Sequence, residues 1–106
     1  MQNRNEIPFK IKEEVSGASL VLYLEGRLDV ATSKELDAAL ENRLAGISTL
    51  TFDLTKLDYI SSAGLRSLLI VQKTMCRQGK MLIRGANELV MDIFHSIGFD
   101  RILTIV

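Results

Sequence analysis

Ser61 and Ser62 stand side by side in the run Asp58-Tyr59-Ile60-Ser61-Ser62-Ala63-Gly64-Leu65, where an apolar stretch gives way to a helical pattern. Hydroxyls at such a junction can do three kinds of chemistry. One can cap the helix, because its oxygen accepts from a free backbone N–H, a contact worth about 1 kcal/mol over alanine. One can accept a phosphoryl group, since Ala63 and Gly64 leave little side-chain cover over the junction. One can attack a substrate, but a nucleophile elbow wants Gly two residues before and two after the serine, and Ser62 has Ile60 and Gly64 there. A cap needs only one serine, which leaves the second for modification. A phosphate there would add roughly −1.5 to −2 charges near free N–H groups and the positive end of the helix dipole, which the fold tolerates. The same charge inside a surface that another protein must cover is costly to desolvate, so one site can leave stability nearly unchanged and abolish binding.

Few other residues offer chemistry. His95 is the single histidine and, beside Phe94 on a late helix, reads as a surface or boundary residue; a serine-histidine-acid relay would depend on it alone. Cys76 falls on an apolar stripe and reads as a small core residue, unable to form an intramolecular disulfide, and one Cys with one His falls short of a zinc site. Asp29, closing Gly26-Arg27-Leu28-Asp29, has the plain reading of a residue that ends a strand and helps a turn. Arg66, one turn after Ser62, is either solvated or in contact with a partner or a phosphate. No Gly-rich turn ends in Gly-Lys-Ser or Gly-Lys-Thr, so the chain offers no phosphate-binding loop of its own and no cofactor is expected.

The elements that position these residues follow from periodicity. After a polar tail over 1–6, Phe9, Ile11 and Val15 alternate with Lys and Glu as a half-buried strand, and Ser16-Gly17 turns into the apolar run Leu20 to Leu24, which Gly26 closes. These two form a hairpin. Thr32 followed by Glu35 predicts a capping box and a helix with Leu36, Ala39, Leu40 and Leu44 on its buried stripe, ended by Gly46. Leu50, Phe52 and Leu54 alternate as a strand leading to the serine pair. Leu65, Leu68, Leu69, Met75 and Cys76 trace the next helical face, which stops near Gly79. Met81 to Ile83 reads as a strand, Asn87 caps a helix burying Val90, Ile93, Phe94 and Ile97, Gly98 ends it, and Arg101 to Val106 is a final strand. Strands joined through helices imply a mostly parallel sheet in a single α/β domain over 7–106, with the opening hairpin adding an antiparallel edge and about three helices packing the sheet.

Composition narrows the function. A chain of 106 residues suits one core, burying roughly 65% of its unfolded surface. Thirteen Lys and Arg against 13 Asp and Glu leave no basic field for a phosphate backbone, which argues against direct nucleic-acid binding. No window reaches the roughly 20 apolar residues that insertion across a membrane requires, and the polar start has no signal-peptide core. The expected compartment is the cytoplasm.

The stretch Leu57-Asp58-Tyr59-Ile60-Ser61-Ser62-Ala63-Gly64-Leu65-Arg66, with Gly26-Arg27-Leu28-Asp29 upstream, resembles a STAS domain of the anti-sigma factor antagonist type over nearly the whole chain. The resemblance implies a non-enzymatic module that binds an anti-sigma factor serine/threonine kinase and thereby frees a sigma factor. It implies that the kinase phosphorylates Ser62, that a phosphatase of the PP2C type restores the binding form, and that the protein is a monomer. It places partner contacts at Asp29, Ser61, Ser62, Ala63, Gly64 and Arg66. The family motif commonly reads Asp-Ser-Ser or Asp-Ser-Thr before Gly-Leu, so here Ser61 replaces the acid and Ala63 the second hydroxyl, with Ser61 a minor competing acceptor. STAS-like domains also serve lipid-transport and stress-sensing assemblies, the alternative reading of the same resemblance.

Overall fold

The computed structural model describes residues 8–106, so the polar tail expected over 1–6 lies outside the described residues. Strand β1 (Lys10–Ser16) turns through Gly17, at φ +59°, into β2 (Ser19–Leu28). Helix α1 (Val30–Leu40) leads to β3 (Thr49–Ile60), α2 (Ser62–Cys76) to β4 (Lys80–Arg84), and α3 (Glu88–Ser96), followed by one 3-10 turn (Phe99–Arg101), to β5 (Thr104–Ile105). The strands lie in chain order across one five-stranded sheet, β1 antiparallel to β2 and every later pair parallel. That is the mixed, mostly parallel α/β architecture the periodicities predict.

Alternation along the strands sorts the residues. Leu20, Leu22, Leu24 and Leu28 of β2 and Leu50, Phe52, Leu54 and Leu57 of β3 are fully buried, in one cluster with Leu36 of α1, Leu68 and Met75 of α2, and Val90 and Phe94 of α3. The residues between them point the other way: Lys12, Tyr23, Asp53 and Arg84 stand abreast on neighbouring strands, with Arg84 Nε 2.8 Å from Asp53 Oδ2. Packing therefore fixes the register of β2 against β3, since a slip of one residue would turn the leucines out of the core.

Several local expectations need correction. Helix α1 starts at Val30, one turn before the Thr32 start, because Asp29 is the cap: its carboxylate accepts from the Thr32 N–H at 3.0 Å, and the Asp29 N–H donates to Thr32 Oγ1 at 2.8 Å. Thr32 thus occupies the third helical position of a capping box whose cap is an acid. The helix also stops at Leu40, before Leu44, since Glu41 is extended and Asn42 takes φ +61°; Gly46, at φ +81°, shapes the loop beyond. Ala39, placed on the buried stripe, is exposed, as are Ile97 at the end of α3 and Val15 in the edge strand. Cys76 is exposed at the last residue of α2, where Met75 takes the core position. Gly26 lies inside β2, at a shift of register, and the final strand shrinks to two residues because Phe99–Arg101 is helical.

Candidate functional site

The serine pair sits where β3 turns into α2. Ser61, extended at φ −94° and ψ 174°, is the cap; its Oγ accepts from the Gly64 N–H at 3.3 Å, and its carbonyl accepts from the Leu65 N–H at 2.9 Å. Ser62 is the first helical residue and is exposed. Because Ser61 does the capping, the Ser62 hydroxyl has no hydrogen-bond partner among the described residues, and its side chain stands free at the start of the helix.

The motif around Gly26 meets the serines through the parallel pairing of β2 and β3. Leu28 lies abreast of Ile60, and the Ser61 N–H donates to the Leu28 carbonyl at 2.8 Å. One residue further along each chain, Asp29 caps α1 and Ser61 caps α2, so two helix starts lie side by side at the carboxyl ends of adjacent parallel strands. Loops held by a rigid scaffold in this way are where binding residues concentrate. The Thr32 N–H, donating to the Asp29 carboxylate, holds that carboxyl below its ordinary pKa. Asp29 is thus a fixed anion beside the serines, and its turn-forming role and a contact role are compatible.

Gly64 explains the closeness of the two motifs. It is buried, and a Cβ there would come within 2.7 Å of Leu28 Cγ and 2.9 Å of Ile60 Cγ1. Any side chain there would force α2, or the Leu28 and Ile60 side chains, to shift. Of the residues singled out from the sequence, Asp29, Ser61, Ser62 and Gly64 come together at this edge, with Ala63 half-buried between Ser62 and Gly64. Arg66 is exposed one turn along α2, at the helical spacing that makes it a neighbour of Ser62.

Two residues of the site carried no role in the sequence reading. Arg27 stands abreast of Tyr59, and its guanidinium carbon lies 4.4 Å from the centre of the Tyr59 ring. Both names lie inside the motifs quoted above, yet only the strand register reveals that they touch.

His95 is committed elsewhere: its Nδ1 lies 2.8 Å from Asp100 Oδ2, and that contact raises the histidine pKa above 6.5. Among the described residues no cluster of three or more His, Cys, Asp or Glu is placed to hold a metal ion, and no helix is long and apolar enough to cross a membrane. Two surface depressions lie away from the serines, one on the polar face around Tyr23 and one between the later parts of α1 and α2. The site is a small, open surface built on two helix starts, suited to being covered by another macromolecule.

Comparison with known proteins agrees with that geometry. Residues 11–105 match a family model described as the Mlab, STAS domain. The chain is 34% identical over 88 residues, 81% of its own length and 76% of the relative's, to BtrV of Bordetella bronchiseptica, whose description is that of an anti-sigma factor antagonist. Among solved structures, an anti-sigma factor antagonist from Mycobacterium paratuberculosis superposes with a TM-score of 0.84 at 18% identity, covering 92% of this chain and 85% of that one. The anti-sigma factor antagonist SpoIIAA, a Bacillus cell fate determinant, superposes in its unphosphorylated form (TM-score 0.78, 17% identity, 93% of this chain and 88% of that one) and in its phosphorylated form (TM-score 0.71, 16% identity, 93% and 91%). At those identities the structural likenesses speak for the fold alone.

Proposed function

This chain belongs to the STAS domain family, and on that premise we propose that it is an anti-sigma factor antagonist whose docking to an anti-sigma factor kinase is switched off by phosphorylation of Ser62. In this reading the bare protein covers the kinase and frees a sigma factor. The kinase then transfers the terminal phosphoryl group of ATP to Ser62 Oγ, with ADP as the leaving group and the hydroxyl proton passed to a base on the kinase. A PP2C-type phosphatase hydrolyses the ester and restores the docking form. The protein itself is a cytoplasmic binding module without catalysis.

The observation that carries the reading is the free, exposed hydroxyl of Ser62 beside a serine that already caps the helix. Ser62 can accept a phosphate at no cost in capping, and the new charge would lie at the start of α2, where the helix dipole favours anions. Asp29, Ser61, Ala63 and Arg66 lie around it and form the proposed contact surface, while Gly64, expected there from the resemblance, is buried beneath them and seats α2 against Leu28 and Ile60. Asp29 contributes a negative group suited to a basic patch on the kinase. The likeness to BtrV supports the class of partner, and the likeness to SpoIIAA in both states supports a fold that persists when phosphorylated.

The test is incubation with the cognate kinase and ATP, followed by mass spectrometry of the peptides. Phosphate is expected on Ser62, with the Ser62→Ala protein unmodified and persistently bound and the Ser62→Glu protein folded but weakly bound. Phosphate elsewhere, or equal binding by the bare and phosphorylated forms, would remove the reading.

Membership of the STAS family over residues 11–105 is also compatible with a second reading, in which the same surface docks to a different assembly, such as a lipid-transport or stress-sensing complex. Purification of native complexes separates the two. Recovery of a transport ATPase in place of a sigma-regulating kinase would favour the second.

A further inference from the structure

Arg27 has no role in the docking cycle proposed above, yet it lies two residues before Asp29 and three before the start of α1. Its backbone is pinned: the carbonyl accepts from the Thr32 hydroxyl at 2.7 Å, and the residue is in register with Tyr59. Its side chain is exposed and makes no ion pair among the described residues. What holds the guanidinium is the Tyr59 ring, 4.4 Å away, a weak contact at an exposed position. A cation held so lightly is free to move to a stronger partner.

The strand directions say where such a partner would appear. From Tyr59 the chain continues through Ile60 and Ser61 to Ser62, at most about 10 Å along an extended backbone, before it coils into α2. That distance is within the joint reach of an arginine and a phosphoserine side chain. A phosphate on Ser62 would also lie near Asp29, whose carboxylate is locked into its cap and cannot turn away. The two anions repel unless a cation stands between them, and Arg27, two residues before Asp29, is placed to do so. Arg is also the side chain whose planar fork matches phosphate oxygens, a charge-assisted contact stronger than a cation held over an exposed ring.

We propose that Arg27 is the residue that registers phosphorylation at this site: when Ser62 carries a phosphate, the Arg27 guanidinium leaves the Tyr59 ring, pairs with the phosphate oxygens and uncovers the aromatic face. Phosphorylation then changes two things on the docking surface together. A dianion appears at Ser62, and the Arg27–Tyr59 stack that the bare form presents to its partner is taken apart. This rests on Ser62 being the phosphorylated residue.

The experiment places phosphoserine at position 62 during translation, so that it needs no kinase, and follows the phosphate by phosphorus NMR across pH and the Tyr59 ring by proton NMR. In the wild-type chain the ring signals should move on phosphorylation toward those of unphosphorylated Arg27→Ala. In phosphorylated Arg27→Ala the second phosphate pKa should rise by about half a pH unit, the size of one exposed ion pair, and Arg27→Lys should recover part of that shift. Arg66→Ala should leave a smaller change. A phosphate that titrates identically with and without Arg27 overturns the proposal. So does a changed titration with the Tyr59 signals unmoved, which would mean that Arg27 stays on its ring and acts through its field alone. Failure of the kinase to modify Ser62 would show in the mass-spectrometric test, and neither result stands in for the other.

Discussion

The Ser61 N–H donates to the Leu28 carbonyl at 2.8 Å, a single backbone bond that ties the serine pair to the Gly26–Asp29 turn. The bond continues the β2–β3 pairing past Ile60, the last residue of β3, and brings two helix caps side by side. Ser61 therefore has a structural duty and Ser62 has none. Ser61→Ala should destabilise the protein by about 1 kcal/mol, the usual loss of a cap. Ser62→Ala should stay within about 0.5 kcal/mol of the wild type, as an exposed change with no bonded partner does. Urea unfolding of both variants checks the division, and an equal loss in the two would overturn it.

The contact of Gly64 with Leu28 and Ile60 leaves no room for a methyl group. Gly64→Ala gains helix propensity but forces the helix or Leu28 to give way, and overpacking of this kind costs about 1–3 kcal/mol. The variant should unfold at lower urea concentration. The amide NMR signals of Leu28, Ser61 and Ser62 should shift most, because the displaced helix carries the serines with it.

Asp29 unites two roles that substitution can separate. Asn is as good a cap as Asp, so Asp29→Asn should keep the helix and change stability by only a few tenths of a kcal/mol, while Asp29→Ala should lose about 1 kcal/mol. If the carboxylate charge contributes to docking, Asp29→Asn should weaken the binding of the partner kinase despite intact stability. Calorimetric titration alongside thermal unfolding distinguishes the two roles, and a variant that binds as tightly as the wild type would reduce Asp29 to a cap.

How far the sequence already contained this site depended on the range of the interaction. The apolar run Leu20 to Leu24, the alternation of Leu50 to Leu54, the helical spacing of Leu65, Leu68 and Met75, and the Asn87 cap are local patterns, and each of these elements appears where its pattern lies. The start of α1 differs from the sequence expectation because two caps compete: Thr32 with Glu35 satisfies the familiar spacing, but Asp29 comes first and Val30 and Ala31 are free to be helical. Cys76 fell on the apolar stripe by spacing, yet at the helix end the stripe has already passed over the core, and Met75 fills it. The stack of Arg27 on Tyr59 joins residues 32 positions apart through the register of two strands, which no local pattern encodes.

The exposed pair of His95 and Asp100 makes a prediction about pH that is independent of the serine site. The hydrogen bond with Asp100 raises the His95 pKa above 6.5, and the same bond lowers the Asp100 pKa below 3.8. A raised histidine pKa stabilises the fold fully below about 6.5, its unfolded value, and loses that contribution as pH climbs through the higher folded value. A lowered carboxyl pKa contributes above about 3.8 and loses its part as pH falls through the lower folded value. The pair should therefore tie the end of α3 to the 3-10 turn most firmly between about pH 4 and 6.5, and slacken on the alkaline side first. NMR titration should place the His95 midpoint above 6.5 in the wild type and bring it back toward 6.5 in Asp100→Asn. Because both side chains reach solvent, added salt should shrink the difference. An unchanged midpoint in Asp100→Asn would show that the ring is held by something other than the carboxylate.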